Sequence, residues 1–239
     1  MKRALVTGGN SSIGTAICRE LASMNFHVIV HGHRHQEAVQ EVTGMLEKSG
    51  GSAEAVCCDL TDGAATEHTM NTLLEKGAIQ VIVHNAGIYH DAPMAGMTAQ
   101  QWHNVIDVSL HGFFHATQPL LLPMIRTRWG RIIAISSLSG IIGHRGQTNY
   151  SAAKSGLHGA VRSLATEVAS RGITVNVVAP GLIDSPATES TFTVEQIQSM
   201  VPMKRAGQPE EVASVVGFLA SDKASYLSGQ IIGVNGAMA

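Results

Sequence analysis

Tyr150 and Lys154 are the two side chains of this sequence whose types and spacing most clearly suggest acid–base chemistry. Residues four apart are neighbours on one face of a helix. A free phenol has a pKa of about 10 and exchanges protons slowly at neutral pH, but a lysine ammonium beside it stabilises the phenolate and lowers that pKa. Ser137, which follows an apolar run, adds a hydroxyl that can hydrogen-bond a substrate carbonyl oxygen as charge develops on it. Together these residues predict proton donation to a carbonyl oxygen.

A glycine-rich loop near the start of the chain predicts a phosphate-binding site. The stretch Thr7–Gly14 follows a short apolar run and leads into a helical pattern. The free N–H groups and positive dipole of a helix N-terminus attract a pyrophosphate at such a position. Gly8 permits a tight turn, and Gly14 permits close packing of helix against strand. We therefore expect a dinucleotide to bind at Gly8, Asn10, Ser11, Ser12, Ile13 and Gly14. An oxidised nicotinamide ring bound nearby would lower the pKa of the phenol further.

The residues after the second apolar run indicate which dinucleotide is preferred. An acidic residue there hydrogen-bonds the ribose 2′-hydroxyl of NAD, whereas a basic residue accepts the 2′-phosphate of NADP. His33 and Arg34 stand at this point with no acidic residue before Glu37, so NADP(H) is predicted. His31, His33 and His35 alternate like ligands on one strand face, but no carboxylate or cysteine accompanies them on that strand, and we predict no metal site.

Short apolar runs alternate with longer helical patterns along the chain, which predicts parallel strands covered by helices. We expect a single-domain Rossmann-like α/β fold over residues 1–239, with a doubly wound sheet of about seven parallel strands and helices on both faces. The irregular stretch 181–205 is expected to be a substrate lid. The expected strands are Ala4–Val6, Val28–His31, Ala55–Cys57, Val81–His84, Ile132–Ile135, Thr174–Val178 and Ile231–Val234, and the expected helices begin near Ile13, Gln36, Ala64, Ala99, Tyr150 and Pro209.

The composition favours a globular domain and argues against two other classes of protein. The chain has 239 residues, of which 44% are hydrophobic and 14% charged, and a formal net charge of −2. That balance lacks the basic excess typical of nucleic-acid binding. No apolar run approaches the ~20 residues that span a bilayer, so no membrane segment is expected. The cysteines Cys18, Cys57 and Cys58 have no disulfide-framework spacing, which favours the reducing cytoplasm.

Several motifs in one order give the chain a resemblance to the short-chain dehydrogenase/reductase family. They are Thr7-Gly8 with Gly14, His84-Asn85-Ala86-Gly87, Ser137, Tyr150-Ser-Ala-Ala-Lys154 and Pro180-Gly181. The resemblance covers essentially the whole chain and implies reduction by NADPH with Tyr150 as the proton donor. The segment Ala169–Gly181 and the ending Val234-Asn-Gly236 are most similar to the branch of 3-oxoacyl-(acyl-carrier-protein) reductases. That branch implies a 3-oxoacyl thioester as substrate and a 3-hydroxyacyl thioester as product.

The family resemblance also implies further contacts to the cofactor. Asp59 is expected to contact the adenine amino group, with Leu60 beside it. Ser185 stands where the family has a threonine that meets the nicotinamide carboxamide. The other implied cofactor residues are Asn85, Ala86 and Gly87 beneath the fourth strand, Tyr150 and Lys154, and Pro180, Gly181 and Ile183 after the sixth strand.

Two positions depart from the family pattern. Ser12 replaces the central glycine of the loop, so its Cβ has to fit near the pyrophosphate. Ser109 aligns with a fourth catalytic residue, an asparagine whose backbone carbonyl holds a water in the proton relay to the lysine and whose side chain shapes a helix kink. A serine keeps the carbonyl, and the sequence leaves open whether it keeps the kink. We count Ser109 as a candidate catalytic residue beside Ser137, Tyr150 and Lys154.

The resemblance implies partners as well. Acyl carrier protein is acidic, so basic residues near the site entrance are expected to dock it. Arg128 and Arg171 match positions with this role in the family, which usually forms homotetramers. Two alternatives stay open: a dehydrogenase acting on a free alcohol, sugar or steroid, and a catalytically silent NADP-binding sensor. The intact Ser137, Tyr150 and Lys154 argue against the sensor.

Overall fold

One seven-stranded sheet runs through the whole molecule. The computed structural model describes residues 1–239, and the strand order is β3-β2-β1-β4-β5-β6-β7 with every neighbouring pair parallel. The strands are β1 (Arg3–Thr7), β2 (His27–Gly32), β3 (Ser52–Cys57), β4 (Val81–His84), β5 (Gly130–Ile135), β6 (Ile173–Pro180) and β7 (Ile231–Val234). The predicted sheet of seven parallel strands is thus confirmed.

Ten α-helices accompany the strands. They are α1 (Ser12–Ser23), α2 (Gln36–Lys48), α3 (Gly63–Leu74), α4 (Ala99–Ile106), α5 (Gly112–Thr127), α6 (Ser139–Ile142), α7 (Thr148–Val168), α8 (Pro186–Thr191), α9 (Val194–Met200) and α10 (Pro209–Ala220). Within residues 181–205, the expected irregular stretch contains two of these, α8 and α9. No helix combines the length and the apolar character needed to span a membrane.

The sheet is buried on both faces by two separate hydrophobic clusters. One cluster packs α1, α2 and α10 against one face, and the other packs α3, α5 and α7 against the opposite face. Successive side chains of a strand point to opposite faces, so Val28 and Val30 belong to the first cluster while Ile29 belongs to the second. This two-sided burial explains why the central strands are continuously apolar and confirms the doubly wound Rossmann-like architecture.

The strand order reverses between β1 and β4, which lie side by side at the centre of the sheet. Open α/β sheets have a crevice beyond the carboxyl ends of the strands at such a switch point. The loop after β1, the end of β4 and the residues after β5 therefore meet at one edge.

The helical region after β4 differs from the single helix that the sequence predicts near Ala99. It consists of α4, a π-helical turn over Asp107–His111 and α5. A π turn holds one extra residue and occurs frequently at functional sites. Because this turn contains Ser109, the irregularity of the helix persists with serine in place of the family asparagine.

Candidate active site

The loop after β1 has the geometry of a pyrophosphate cradle. Gly8 has a positive φ of 62°, and a Cβ at Gly14 would collide with the Gly8 carbonyl oxygen. The Ser11 hydroxyl caps α1 by accepting from the Gly14 N–H at 3.1 Å. The Asn85 side-chain amide donates to the Gly8 carbonyl at 2.9 Å and fixes the loop to the end of β4.

Two N–H groups at the start of α1 are free to bind a ligand. Those of Ser12 and Ile13 have no acceptor within the chain. The first N–H groups of a helix lack intrahelical partners and favour anions. Ser12 is exposed, so its side chain fits here without displacing the backbone. The loop residues therefore fit the phosphates of a dinucleotide.

The residues predicted to recognise the adenosine end lie together past β2 and β3. The His33 Nε2 atom lies 3.1 Å from Asp59 Oδ2 and 3.2 Å from Arg34 Nε. Partial burial raises the pKa of Asp59, but hydrogen bonds from Thr61 and the neighbouring His33 outweigh it and hold that pKa below its usual range. The cluster thus places the basic side chains of His33 and Arg34 where they would bind the 2′-phosphate of NADP.

The alternating histidines do not share a strand face, because β2 ends at Gly32 before His33 and His35 are reached. His31 is buried, accepts from the Gly8 N–H at 3.4 Å through Nδ1 and contacts the Cys58 carbonyl at 3.1 Å through Nε2. Burial lowers the pKa of His31 to about 4, so the ring is neutral. His31 therefore supports the loop. No group of three or more His, Cys, Asp or Glu side chains is arranged to hold a metal ion.

Ser137, Tyr150 and Lys154 come together at the carboxyl end of β5. Ser137 is the second residue after the strand, and its hydroxyl accepts from the Ser139 N–H at 3.1 Å. Lys154 is buried, and its Nζ donates to the Ile135 carbonyl at 2.9 Å and lies 5.6 Å from the centre of the Tyr150 ring. The Asn149 amide anchors the first turn of α7 by donating to the carbonyls of His90 and Gln101 at 3.0 Å. The neighbouring Ser136 is buried and its hydroxyl donates to the Lys154 carbonyl, whereas Ser137 lines the cavity.

In the chain by itself, the pKa of Tyr150 is shifted in the opposite direction to the sequence prediction. Burial raises the pKa of the Tyr150 phenol, with the neighbouring Ser137 hydroxyl acting in the opposite direction. The predicted lowering by Lys154 together with a bound oxidised nicotinamide is not seen in the chain alone, where the ammonium is bound to the Ile135 carbonyl and makes no hydrogen bond to the phenol oxygen. Burial also lowers the pKa of Lys154, to about 8. The chain by itself thus keeps Tyr150 protonated, which is the form that donates a proton.

Gly87 leaves the space that Lys154 needs. A Cβ at Gly87 would lie 2.9 Å from Lys154 Nζ, closer than such contacts normally come. The preceding N–H groups of Asn85 and Ala86 both donate to the Thr7 hydroxyl at 3.0 Å. The end of β4 therefore ties the phosphate loop to Lys154.

A cavity of about 440 Å³ opens in front of Ser137 and Tyr150. Its apolar walls come from segments far apart in the sequence, namely Tyr89, Leu182, Phe192, Met200 and Met238. These residues could not be identified from the sequence, because no local motif links them. Phe192 and Met200 belong to residues 181–205, the stretch expected to be a substrate lid. Ser185 caps α8 by accepting from the Thr188 N–H at 3.1 Å. Pro180 ends β6, and Gly181 and Ile183 lie between β6 and α8.

The two arginines expected at the site entrance lie elsewhere within one chain. Arg128 precedes β5, and Arg171 precedes β6. Both therefore lie at the amino ends of the strands, whereas Ser137 and Tyr150 lie at the carboxyl ends. The expectation that they border the entrance of their own chain's site is wrong. The exposed basic residue that does line the cavity is Arg145.

The site combines a glycine-rich cradle, a buried lysine beside a tyrosine, and a serine after β5. These features are those expected of a dinucleotide-dependent oxidoreductase. A family model described as enoyl-(acyl-carrier-protein) reductase matches residues 8–238, and the chain belongs to the short-chain dehydrogenase/reductase family.

Several curated relatives cover nearly the full chain. A 3-oxoacyl-(acyl-carrier-protein) reductase FabG of Aggregatibacter actinomycetemcomitans is 40% identical over 236 residues, covering 98% of each chain. The FabG of Staphylococcus aureus strain Mu50 is 40% identical over 240 residues, covering 99% of this chain and 98% of its own. A 3-oxoacyl-(acyl-carrier-protein) reductase of Synechocystis sp. is 40% identical over 237 residues, covering 98% of this chain and 96% of its own.

Proposed function

We propose that this protein is an oxidoreductase that reduces the 3-oxo group of an acyl thioester to a 3-hydroxyl group with NADPH. One observation carries the proposal: Ser137 and Tyr150 face a single cavity, with Lys154 buried behind Tyr150, at the edge of the sheet that holds the phosphate cradle. The full-length relatives named for this reaction support the choice of substrate.

The residues that would hold the dinucleotide are those of the cradle and its neighbours. The N–H groups of Ser12 and Ile13 suit the pyrophosphate, and Asp59 suits the adenine. His33 and Arg34 suit a 2′-phosphate, which favours NADP(H) over NAD(H). When bound, NADPH supplies the hydride that reduces the carbonyl carbon.

The chain's own residues stabilise the substrate carbonyl oxygen and supply the proton that it receives. The Ser137 hydroxyl donates a hydrogen bond to the substrate carbonyl oxygen and stabilises negative charge as it develops there. Tyr150, kept protonated by its surroundings, gives its proton to that oxygen. Lys154 holds a positive charge beside the resulting phenolate and stabilises it.

The walls of the cavity suit an acyl chain. Phe192, Met200 and Met238 offer flexible apolar surface to a hydrocarbon. The same cavity also carries polar side chains, among them Asp91 and Gln147, which bond each other at 2.9 Å.

We propose that acyl carrier protein delivers the substrate and that Arg145 at the cavity mouth guides its acidic surface. Arg128 and Arg171 remain candidate docking residues that would have to serve the site of a neighbouring subunit.

Arg145→Glu is expected to lower kcat/KM for the carrier-bound substrate about tenfold. The same variant is expected to leave kcat/KM for an acetoacetyl thioester of N-acetylcysteamine unchanged. The matched double variant Arg128→Glu/Arg171→Glu tests the other pair in the same two assays. Equal loss on both substrates for every variant would remove the docking proposal.

We further propose a homotetramer located in the cytoplasm. Exposed apolar side chains on α5 and α10, including Phe114, Leu122 and Phe218, support burial between subunits. All three cysteines are unpaired, which suits a reducing compartment. Light scattering on the purified protein measures the assembly directly, and a monomer at micromolar concentration would contradict it.

The function is tested by following NADPH absorbance with an acetoacetyl thioester. We expect turnover with this substrate, none with the matching crotonyl thioester, which offers a carbon–carbon double bond in place of the 3-oxo group, and none with sugars or steroids. Dinucleotide binding without turnover on any of these would indicate the silent sensor. Turnover on a free alcohol or steroid alone would replace the acyl substrate.

A further inference from the structure

His33, the first residue after β2, has one ring nitrogen that contacts two side chains of opposite charge. Its Nε2 lies 3.1 Å from Asp59 Oδ2 and 3.2 Å from Arg34 Nε. The backbone fixes this meeting point, because the Cys58 N–H donates to the Gly32 carbonyl at 3.2 Å and so joins the end of β2 to the residues after β3. His33, Arg34 and Asp59 therefore form one charged cluster at the carboxyl ends of these strands.

The two contacts need opposite states of the same nitrogen. A carboxylate only accepts hydrogen bonds, and a guanidinium only donates them. Arg34 therefore bonds Nε2 of His33 when that nitrogen has a free lone pair, whereas Asp59 bonds it when that nitrogen carries a hydrogen. Because one nitrogen cannot do both at once, the two bonds are mutually exclusive, and the protonation of His33 decides which of them forms.

Arg34 would gain a better partner on a bound 2′-phosphate. The cluster adjoins the phosphate loop, since Asn10 Oδ1 lies 3.3 Å from the position that a Cβ on Gly32 would take. Arg34 is exposed, and its side chain makes one hydrogen bond, to His33. A guanidinium binds phosphate through two parallel charge-assisted bonds, which are stronger than one bond to a neutral imidazole. Once Arg34 turns to the phosphate, the lone pair of His33 Nε2 is left beside the Asp59 carboxylate.

We propose that His33 takes up a proton when a dinucleotide with a 2′-phosphate binds, so that the protein discriminates NADPH from NADH more strongly as the pH falls. The resulting imidazolium lies between the Asp59 carboxylate and the phosphate, and negative groups on both sides favour its charged form. Solvent supplies the proton, Nε2 receives it, and no covalent bond of the dinucleotide changes. NADH has no 2′-phosphate, so the bond between Arg34 and His33 stays in place. This inference rests on the proposed use of NADPH.

The other titratable groups beside His33 keep one charge state between pH 7 and pH 8.5. Burial lowers the pKa of His31 to about 4, so that ring stays neutral. Partial burial raises the pKa of Asp59, but its hydrogen bonds outweigh this effect and the carboxylate stays ionised. Burial raises the pKa of the thiols of Cys57 and Cys58, which stay protonated. A phosphate monoester has its second pKa near 6 and is already a dianion in this range. An uptake above pH 7 is thus assigned to a histidine of the loop after β2.

Isothermal titration calorimetry counts the proton directly. NADPH binding is measured at pH 7.5 in two buffers of different ionisation enthalpy, and the dependence of the observed enthalpy on the buffer gives the number of protons taken up. We expect more than about half a proton for NADPH and roughly none for NADH. Between pH 7 and pH 8.5 the Kd for NADPH should rise about fivefold, while the Kd for NADH should stay within about twofold.

Three variants identify the group that receives the proton. His33→Asn cannot be protonated and should abolish the uptake, and Asp59→Asn should reduce it because one of the two stabilising charges is lost. His35→Asn is the matched control, since His35 is exposed and its side chain does not cap α2. It should keep the parent uptake and the parent dependence of Kd on pH.

Several results would overturn the proposal. They are NADPH binding without net proton uptake at pH 7.5, equal uptake for NADPH and NADH, and an uptake that persists in His33→Asn or disappears in His35→Asn. A parent protein that binds neither dinucleotide would refute the proposed function, and this inference with it.

Discussion

The centre at the end of β4 and β5 and the expected lid, residues 181–205, are built in opposite ways. Around His84 and Lys154 the polar groups are buried and nearly every one bonds a strand end or the phosphate loop. In the lid, α8 and α9 are short and contain no buried residue. The centre is thus fixed by long-range bonds to the sheet, whereas the lid is held by local caps such as that of Ser185.

This difference separates two tasks of the protein. Proton donation and charge stabilisation need groups whose positions do not depend on the substrate, since preorganised dipoles act without reorganisation during the reaction. Choice of acyl chain needs a surface that can adjust. Changes in the centre should therefore alter kcat or cofactor binding, and changes in the lid should alter KM.

The largest effect is expected for Tyr150→Phe, which removes the proton donor from the centre. Because positioned acid groups contribute about 10²–10⁴-fold, kcat should fall by roughly 10³-fold while NADPH binding is retained. Steady-state kinetics and fluorescence titration measure the two quantities. Tyr226→Phe, at a fully exposed tyrosine, is the matched control. A Tyr150→Phe protein with the parent rate would show that the centre works differently.

Gly14→Ala tests whether the phosphate cradle is as rigid as the centre it adjoins. The added Cβ would collide with the Gly8 carbonyl oxygen. Overpacking costs about 1–3 kcal/mol, so the Kd for NADPH should rise roughly ten- to a hundredfold. Gly44→Ala in α2 meets no atom within 4 Å and should leave Kd unchanged. If both variants bind NADPH like the parent, the loop is more adaptable than the structure indicates.

The pH dependence of kcat tests the role of the Lys154 charge without a mutation. Its pKa, lowered to about 8 by burial, means that the ammonium is present below pH 8 and is lost as the pH rises through that value. Reduction should therefore fall about tenfold for each pH unit well above 8. The profile is measured at saturating NADPH between pH 6 and 9.5. A flat profile over this range would show that reduction does not depend on the charge of Lys154.

The smallest effect on the kinetic constants is expected for a substitution in the lid. Phe192→Ala should raise KM for a long acyl thioester about fivefold, because part of an apolar side chain is removed from the cavity wall. KM for an acetoacetyl thioester, kcat and the free energy of unfolding should change little, since the half-buried Phe192 belongs to neither hydrophobic core cluster. A loss of kcat instead would mean that the lid takes part in the chemistry and would erase the contrast with the centre.

The features that could be predicted from the sequence depend on neighbours along the chain. Apolar runs predicted all seven strands, and spacing predicted that Tyr150 and Lys154 share a helix face. The hydrogen bond between the His84 ring and the Ser109 carbonyl joins residues 25 apart, and the walls of the cavity come from several separate segments, so neither leaves a local pattern. The raised pKa of Tyr150 was missed because burial depends on the whole fold. The positions of Arg128 and Arg171 relative to the site could not be predicted, because they depend on the directions of the strands.

The π turn after α4 also constrains the length of the chain. The wider turn takes up one extra residue, which in a continuous α-helix would rotate the side chains of α5 by about 100°. That offset lets α4 pack on α7 while α5 packs on α3. Forcing Asp107–His111 into regular α-helical geometry at the same length would turn Phe113 out of the core even though no core residue had been changed. Natural variation in this stretch should therefore retain the extra residue that forms the π turn around Ser109.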